Sequence, residues 1–415
     1  MKVVNEGRFP AGLGREVTTV ALALAFVLTL AVPGTVHAQN YQVLYNFAGG
    51  RDGAQPYAGL SIDRGGKLYG TTHSGNEGVN WGVVFQFRRA GTGWIFAALQ
   101  LFDGALAARA IIGPDGSLYG TSPNNLDQYR SGYVFNLRPQ LNACTTAICN
   151  WNATVIYGFS GGADGGQPRY GDVVFDAQGH MYGTTSVGGN GFGVVYKMTQ
   201  SGGVWSEQPI YAFSGTPDGA TPFGGVVFDS MGNMYGATTQ GGANGLGAVY
   251  ELSPNGGGWS ERVIYSFTGG TDGGYPTAGL YIDNVGNLFG STSNGGSGGG
   301  GTVFELSPSG SSFNYTLLNS FTGGTQCGPW GTLSADSNGN LFGTTVCDGA
   351  TGHGNVYELA RSGGGFTYSS VHDFAAGNDG SRPYGNVTFD ASGNMFGTAS
   401  LGGTHGSGVI WELTP

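Results

Sequence analysis

Charge is scarce in this chain: only 10% of its 415 residues are charged, with 16 Lys and Arg against 26 Asp and Glu, for a formal charge of −10. No Lys/Arg cluster offsets that field locally, so phosphate backbones and anionic lipid surfaces are repelled and nucleic acid is excluded as a partner. Long apolar runs are equally rare. The one candidate, Val17 to Val32, is interrupted by Thr18, Thr19 and Thr29, and at about 16 residues it falls short of the roughly 20 that a spanning helix needs. Helical periodicity is missing from everything that follows. Also missing are a G-x-S-x-G elbow, an H-E-x-x-H pair, a phosphate-binding glycine loop and any quinoprotein-type motif. Cysteine is limited to four residues, and neither close pair has a His or second Cys pair beside it to complete a tetrahedral metal site. No metal and no cofactor are expected.

The apolar run has a different reading. With Lys2, Arg8 and Arg15 ahead of it and Val36-His37-Ala38 behind it, it has the form of an export signal, with cleavage expected between Ala38 and Gln39. Removing residues 1–38 takes away three basic and two acidic groups and leaves a mature chain of −11. Export favours disulfides, and the spacing suggests two local pairs, Cys144 with Cys149 and Cys327 with Cys347. The second would close a loop of about 20 residues, worth roughly 3 kcal/mol in the chain-entropy model.

What the chain does have is glycine, 83 residues of it, together with 13% aromatics. That pairing argues for a packed core punctuated by tight turns rather than low complexity. Three landmarks recur seven times. An aromatic precedes a glycine-rich turn at Phe47, Phe102, Phe159, Phe213, Phe267, Phe321 and Phe374, at intervals of 53 to 57 residues. A Leu/Met-Tyr/Phe-Gly triplet ends at Gly70, Gly120, Gly183, Gly236, Gly290, Gly343 and Gly397, and a Val/Ile-aromatic pair ends at Phe85, Phe135, Tyr196, Tyr250, Phe304, Tyr357 and Trp411. Within one copy the pattern predicts four strands, a to d: Gly225 to Asp229, Asn233 to Thr239, Gly247 to Leu252 and Trp259 to Phe267. An Asp-x-x-Gly hairpin joins a to b at Asp229, with counterparts at Asp63, Asp115, Asp176, Asp283, Asp336 and Asp390.

Seven such units have the dimensions of a seven-bladed β-propeller of four-stranded antiparallel blades, and residues 39–415 are read as one propeller domain. A lone strand d, Tyr41 to Phe47, starts the mature chain, and strands a, b and c of the last copy end it. Pairing of Tyr41 to Phe47 with Gly408 to Leu413 is expected to close the ring. In strand b, Leu68 and Gly70 face one way and Tyr69 the other, so each blade is expected to offer aromatics to one neighbour and small residues to the next.

The residues at Val263 to Pro276, Gly279 to Thr292 and Gly301 to Pro308 resemble the Gloeo/Verruco (GloVer) tandem repeat, V-[IL]-Y-x-F-x-G-G-x-D-G-x-x-P, G-L-x-x-D-x-x-G-N-[LM]-[YF]-G-T-T and G-x-V-[FY]-E-L-x-P. Degraded copies extend the resemblance over nearly all of residues 41–415. It implies an exported bacterial protein of the choice-of-anchor type and brings no molecular activity with it. The C-terminal Trp411-Glu-Leu-Thr-Pro415 has no apolar tail or sorting motif, and no lipobox cysteine follows the signal. A soluble periplasmic or extracellular monomer is therefore expected.

Antiparallel strands put the d–a and b–c connections on one face of the disc, the expected binding surface. Its Asp-Gly positions, Asp52, Asp103, Asp164, Asp218, Asp272 and Asp379, could ring a cation or serve as a turn device, and repetition in nearly every copy favours the turn. A ligand site needs unlike groups, so it belongs where copies differ. On this face those positions are Arg51, His73, Glu77, Trp81, Asp127, Arg130, Arg169, Trp330, His353, Arg382 and His405, a set suited to stacking and charge-assisted bonding with a glycan or peptide, though scattered surface variation also accounts for it. Copy two departs most, with insertions at Pro123 to Ser131 and Pro139 to Asn150. Strand a contributes one clear internal acid, Asp172, while His180 and His372 read as turn or packing residues. Three functions stay open: a binding or scaffold protein for a glycan, peptide or protein; a carbohydrate-active lyase or hydrolase using the central channel; and an envelope component without ligand.

Overall fold

An Asp side chain that accepts two backbone N–H groups, followed by a Gly at positive φ, turns the chain back within four residues. Asp229 Oδ1 accepts from the N–H groups of Met231 (2.8 Å) and Asn233 (2.9 Å), and Gly232 takes φ 87°. The arrangement repeats at Asp63, Asp176, Asp283, Asp336 and Asp390. In the second copy Gly113 holds the position of that Asp, and Asp115 bonds Ser117 N–H instead. His180 occupies the fifth residue of its turn and bonds Asp176 through Nδ1 at 2.8 Å, confirming it as a turn histidine.

The computed structural model describes residues 40–75, 81–124, 129–139 and 151–415. Among these, seven four-stranded antiparallel sheets are present, each with strand order a-b-c-d. Blade 4 illustrates them, with strands Val227–Phe228, Met234–Thr238, Ala248–Asn255 and Gly258–Ser266. Strand a is only two residues long, shorter than the sequence predicts. The preceding glycines lie against neighbouring blades instead of strand b: a Cβ on Gly225 would stand 2.4 Å from the Asp172 carbonyl oxygen, and one on Gly224 would stand 2.5 Å from Ala278.

The ring closes as expected. Asn40–Asn46 pairs antiparallel with Val409–Thr414, Tyr41 opposite Leu413 and Val43 opposite Trp411, with a bulge between Val43 and Tyr45. Phe47 is fully buried in a cluster with Leu60, Phe85, Phe87 and Ile410 that seals blade 7 against blade 1. His372 stacks on Tyr41 at 3.8 Å and bonds Asp379 at 3.2 Å, which makes it a packing residue of this closure.

Two of the sequence landmarks prove to be one contact. Each strand-b glycine stands opposite the strand-c aromatic of its own blade, as in Gly70 with Phe85 and Gly236 with Tyr250. A Cβ there would stand 2.4 Å from the Phe85 ring and 2.3 Å from the Tyr250 hydroxyl, so the triplet ends in Gly to let the aromatic lie across it. The small residue therefore serves its own blade, not the neighbouring blade that the sequence suggests. Between blades, the Thr71, Thr184, Thr344 and Thr398 hydroxyls donate to the Ala108, Gly224, Gly385 and Ala58 carbonyls of the next blade.

Candidate functional site

The d–a and b–c connections do share a face, since they are joined by isolated bridges such as Ala54 to Ser74, Gly166 to Val187 and Ser381 to Leu401. The Asp-Gly aspartates on this face are occupied by the turn. Asp52, Asp164, Asp218, Asp272 and Asp379 each accept from the N–H four residues earlier, and each also bonds the Tyr45, Tyr157, Tyr211, Tyr265 or His372 side chain. Asp103 lies at the end of a strand without that bonding. Among the described residues, no group of three or more His, Cys, Asp or Glu side chains is placed to hold a metal ion.

The approach from each d–a loop into strand a carries the chain past the disc axis. Counting back from the a–b turn residue, the seven blades place Tyr57, Ala107, Tyr170, Phe223, Thr277, Trp330 and Tyr384 at one level. Two residues further along they place Gly59, Arg109, Asp172, Gly225, Gly279, Thr332 and Asn386. The first level forms an aromatic collar. Phe223 meets Tyr170 (5.7 Å), Tyr170 meets Trp330 (6.3 Å), Trp330 meets Tyr384 (5.7 Å) and Tyr384 meets Tyr57 (4.9 Å), all edge-on. Burial raises the Tyr57 and Tyr170 phenols above their ordinary range, while the Arg382 and Arg169 guanidiniums pull the other way.

The second level is a polar floor. The Arg109 guanidinium contacts Asp172 Oδ2 through Nε and Nη2, both at 2.7 Å, and its backbone N–H donates to Oδ1 at 2.9 Å. Asn386 is 8% exposed, with Oδ1 lacking a partner while Nδ2 donates to the Val387 carbonyl. Its side chain fits because Gly59 faces it: a Cβ on Gly59 would stand 1.8 Å from Asn386 Oδ1. Between collar and floor lies a chamber of about 50 Å³, also lined by Thr277 and Thr332. On the far side of the floor a wider cavity of about 410 Å³ opens among Leu60, Ile62, Ile112 and Phe389, with Arg109 and Asn386 again in its wall.

Of the residues singled out in the sequence, Asp172 lies in the floor and four others lie in or against the collar. Trp330 is in the collar and anchors its Nε1 on the Gln326 carbonyl. Arg169 lies over the Phe223 ring at 5.7 Å. His73 packs edge-on against Tyr57 at 4.8 Å, and burial lowers its basicity. Arg382 stands close enough to act on the Tyr57 phenol, and its N–H bonds the His353 carbonyl. Arg51, Arg130, His353 and His405 are exposed on their loops and do not line the chamber. Trp81 is half-buried at the start of a strand c. Glu77, Asp127, Cys144, Cys149, Ala38 and Gln39 lie outside the described residues. Cys327 and Cys347 form the expected disulfide, joining the d–a and b–c loops of blade 6.

Sequence reasoning missed Tyr57, Tyr170, Tyr384, Arg109, Thr332 and Asn386. The signal was present: these are the variable positions four and six residues before the a–b turn, next to an otherwise glycine-rich segment.

Among proteins of curated function, none matches the sequence. Among solved structures, one described as a candidate gluconolactonase aligns at 13% identity and a TM-score of 0.42, over 73% of this chain and 86% of its own. Another, described as a candidate oxidoreductase (glucose dehydrogenase) from Thermus thermophilus, aligns at 14% identity and 0.46, over 75% and 97%. Likeness of that degree says nothing about activity. The Gloeobacter/Verrucomicrobia repeat model, in contrast, matches residues 147–328 and 262–415, and with seven blades built on that unit, the chain belongs to the Gloeobacter/Verrucomicrobia repeat family.

Proposed function

We propose that this is an exported binding protein whose loop face holds a carbohydrate at the channel mouth. The observation that carries the reading is the collar: five aromatic side chains from five blades, above a polar floor, at positions where the seven copies of this chain differ. Flat aromatic faces suit the apolar faces of sugar rings, and the Arg, Asn and Thr groups suit their hydroxyls. The chamber of about 50 Å³ is far below the roughly 300 Å³ of an engulfing pocket, which favours a platform that takes a chain on its surface. The lining favours binding over hydrolysis. Glycosidases usually work with two carboxyl groups, whereas the chamber wall holds one, Asp172, tied to Arg109. Export itself is part of the proposal; it agrees with the Cys327–Cys347 disulfide, and among the described residues no helix is long and apolar enough to cross a membrane.

A glycan array read beside product release from the same polysaccharides tests this. Binding without new reducing ends or unsaturated products is expected, with Trp330→Ala weakening it by roughly tenfold, the scale of one lost stacking contact. Turnover, or binding indifferent to both Trp330→Ala and Tyr384→Ala, overturns it.

A further inference from the structure

We infer that the Cys327–Cys347 disulfide is a positioning pair for the collar: it fixes the loop that holds Trp330 between the two halves of the collar, a task that an aspartate performs in the other blades that supply a collar ring. Its consequence for binding rests on the carbohydrate reading above, whereas the placement of Trp330 does not.

Each collar residue stands just after a d–a loop, so the loop must be locked for the side chain to be aimed. In blades 1, 3, 4 and 7, which supply Tyr57, Tyr170, Phe223 and Tyr384, the lock is the Asp-Gly aspartate that accepts from the N–H four residues earlier. The same loops are tied to the b–c connection by backbone bonds in both directions, between Ala54 and Ser74, Gly166 and Val187, Ala220 and Gln240, and Ser381 and Leu401. Blade 2 lacks the aspartate bonding and supplies only Ala107.

Blade 6 supplies Trp330 with neither device complete. Its loop, Phe321-Thr-Gly-Gly-Thr-Gln-Cys-Gly-Pro-Trp330, contains no aspartate. The Cys347 N–H donates to the Cys327 carbonyl at 3.1 Å, but the Cys327 N–H turns to the Gly324 carbonyl, so one bond of the two-way bridge is gone. Two substitutes stand in its place. The Thr322 N–H donates at 3.0 Å to Asp348, which comes from the b–c loop, and the disulfide joins the same two loops covalently. The bond from the Val346 N–H to the Gly328 carbonyl has counterparts in other blades, such as His73 to Gln55, and does not replace the lock.

The crosslink reaches the indole through one residue. Trp330 Nε1 donates to the Gln326 carbonyl at 3.3 Å, and Gln326 immediately precedes Cys327, so the disulfide fixes the acceptor that orients the indole. The Gln326 N–H is held by Ser293 and Asn294 of blade 5, which anchors the other side of that residue. Gln326 takes φ 65°, a left-handed conformation that is costly for a residue with a Cβ, and release of its carbonyl side lets the loop relax. Trp330 meets Tyr170 at 6.3 Å and Tyr384 at 5.7 Å. Displacing it separates the Tyr170–Phe223 half of the collar from the Tyr384–Tyr57 half.

Cys327→Ser/Cys347→Ser in the full chain tests this, alone and combined with changes at Trp330. Acrylamide quenching of Trp330, taken as the difference between proteins with and without Trp330→Phe, reads the placement of the indole and needs no ligand. The serine variant is expected to keep the far-ultraviolet circular dichroism of the propeller and to lose the protection of Trp330. Its affinity for a carbohydrate found on the array is expected to fall roughly tenfold, the scale of one lost stacking contact. In a Trp330→Ala background the serine changes are expected to cost nothing more, since a positioning pair has no effect once the indole is gone. Trp330 remaining protected in the serine variant, loss of the propeller's circular dichroism, or an equal fall in affinity in the Trp330→Ala background overturns the inference. Binding of no carbohydrate removes the collar reading, and the quenching result then decides the positioning role by itself.

Discussion

Raising the pH from 5 to 8 should destabilise the ring through two glutamates on its outer strands. Tyr157 Oη lies 3.0 Å from Asp164 Oδ2 and 3.3 Å from Glu207 Oε2, and Tyr211 Oη lies 2.6 Å from Asp218 Oδ2 and 3.4 Å from Glu261 Oε2. A phenol has one proton to give, so when it bonds the aspartate the second contact needs a proton from the glutamate. Burial, with the nearby aspartate charge adding to it, pushes both Glu207 and Glu261 up to about 7 from 4.5. A carboxyl raised on folding binds its proton more tightly in the folded state. Its stabilisation is complete below the unfolded value and is lost as pH climbs from about 4.5 through 7. That interval corresponds to roughly 3 kcal/mol for a shielded group, and because both are only half-buried we reduce it to about 1 kcal/mol each. For a ring of this size ~1 kcal/mol moves the melting temperature by roughly 1–2 °C, so the wild type should lose about 2–4 °C between pH 5 and 8 relative to Glu207→Gln/Glu261→Gln, whose amides supply the second donor at every pH. Scanning calorimetry across that range on both proteins measures the difference. Parallel curves would refute the shared-proton argument.

Deleting residues 39–48 removes the strand that pairs with Val409–Thr414, the fully buried Phe47 and the Tyr41 to His372 stack. Phe47 alone is worth about 3–5 kcal/mol, so the truncated protein should melt more than about 10 °C lower or fail to fold, and an unchanged melting temperature would contradict non-covalent closure. At the strand-c position where Phe85, Phe135 and Phe304 stand in other blades, Tyr357 carries a fully buried hydroxyl with no partner. Tyr357→Phe should therefore raise stability by about 1 kcal/mol in urea unfolding, and a loss instead would reveal a bond to that hydroxyl.

The blade count, the Asp-x-x-Gly hairpins and the closing strand were all legible in the sequence, because each rests on local chemistry: a turn needs its Asp and Gly whatever surrounds it, and a period survives translation along the chain. The pairing of Gly70 with Phe85 was visible only as two separate landmarks, since the contact depends on cross-strand register. The site was the least legible part. Asp172, Trp330, Arg169 and His73 stood out as departures from the repeat, but only Asp172 and Trp330 line the chamber, and Arg51, Arg130, His353 and His405 stood out equally and do not. Variation in sequence does not say which way a residue points. Tyr57, Tyr170 and Tyr384 come from blades 1, 3 and 7, and Arg109 reaches Asp172 across 63 residues. The sequence by itself determined the repeating unit and the ring. Only closure of that ring decided that two variable positions per blade, some 50 residues apart from copy to copy along the chain, meet their counterparts on the axis.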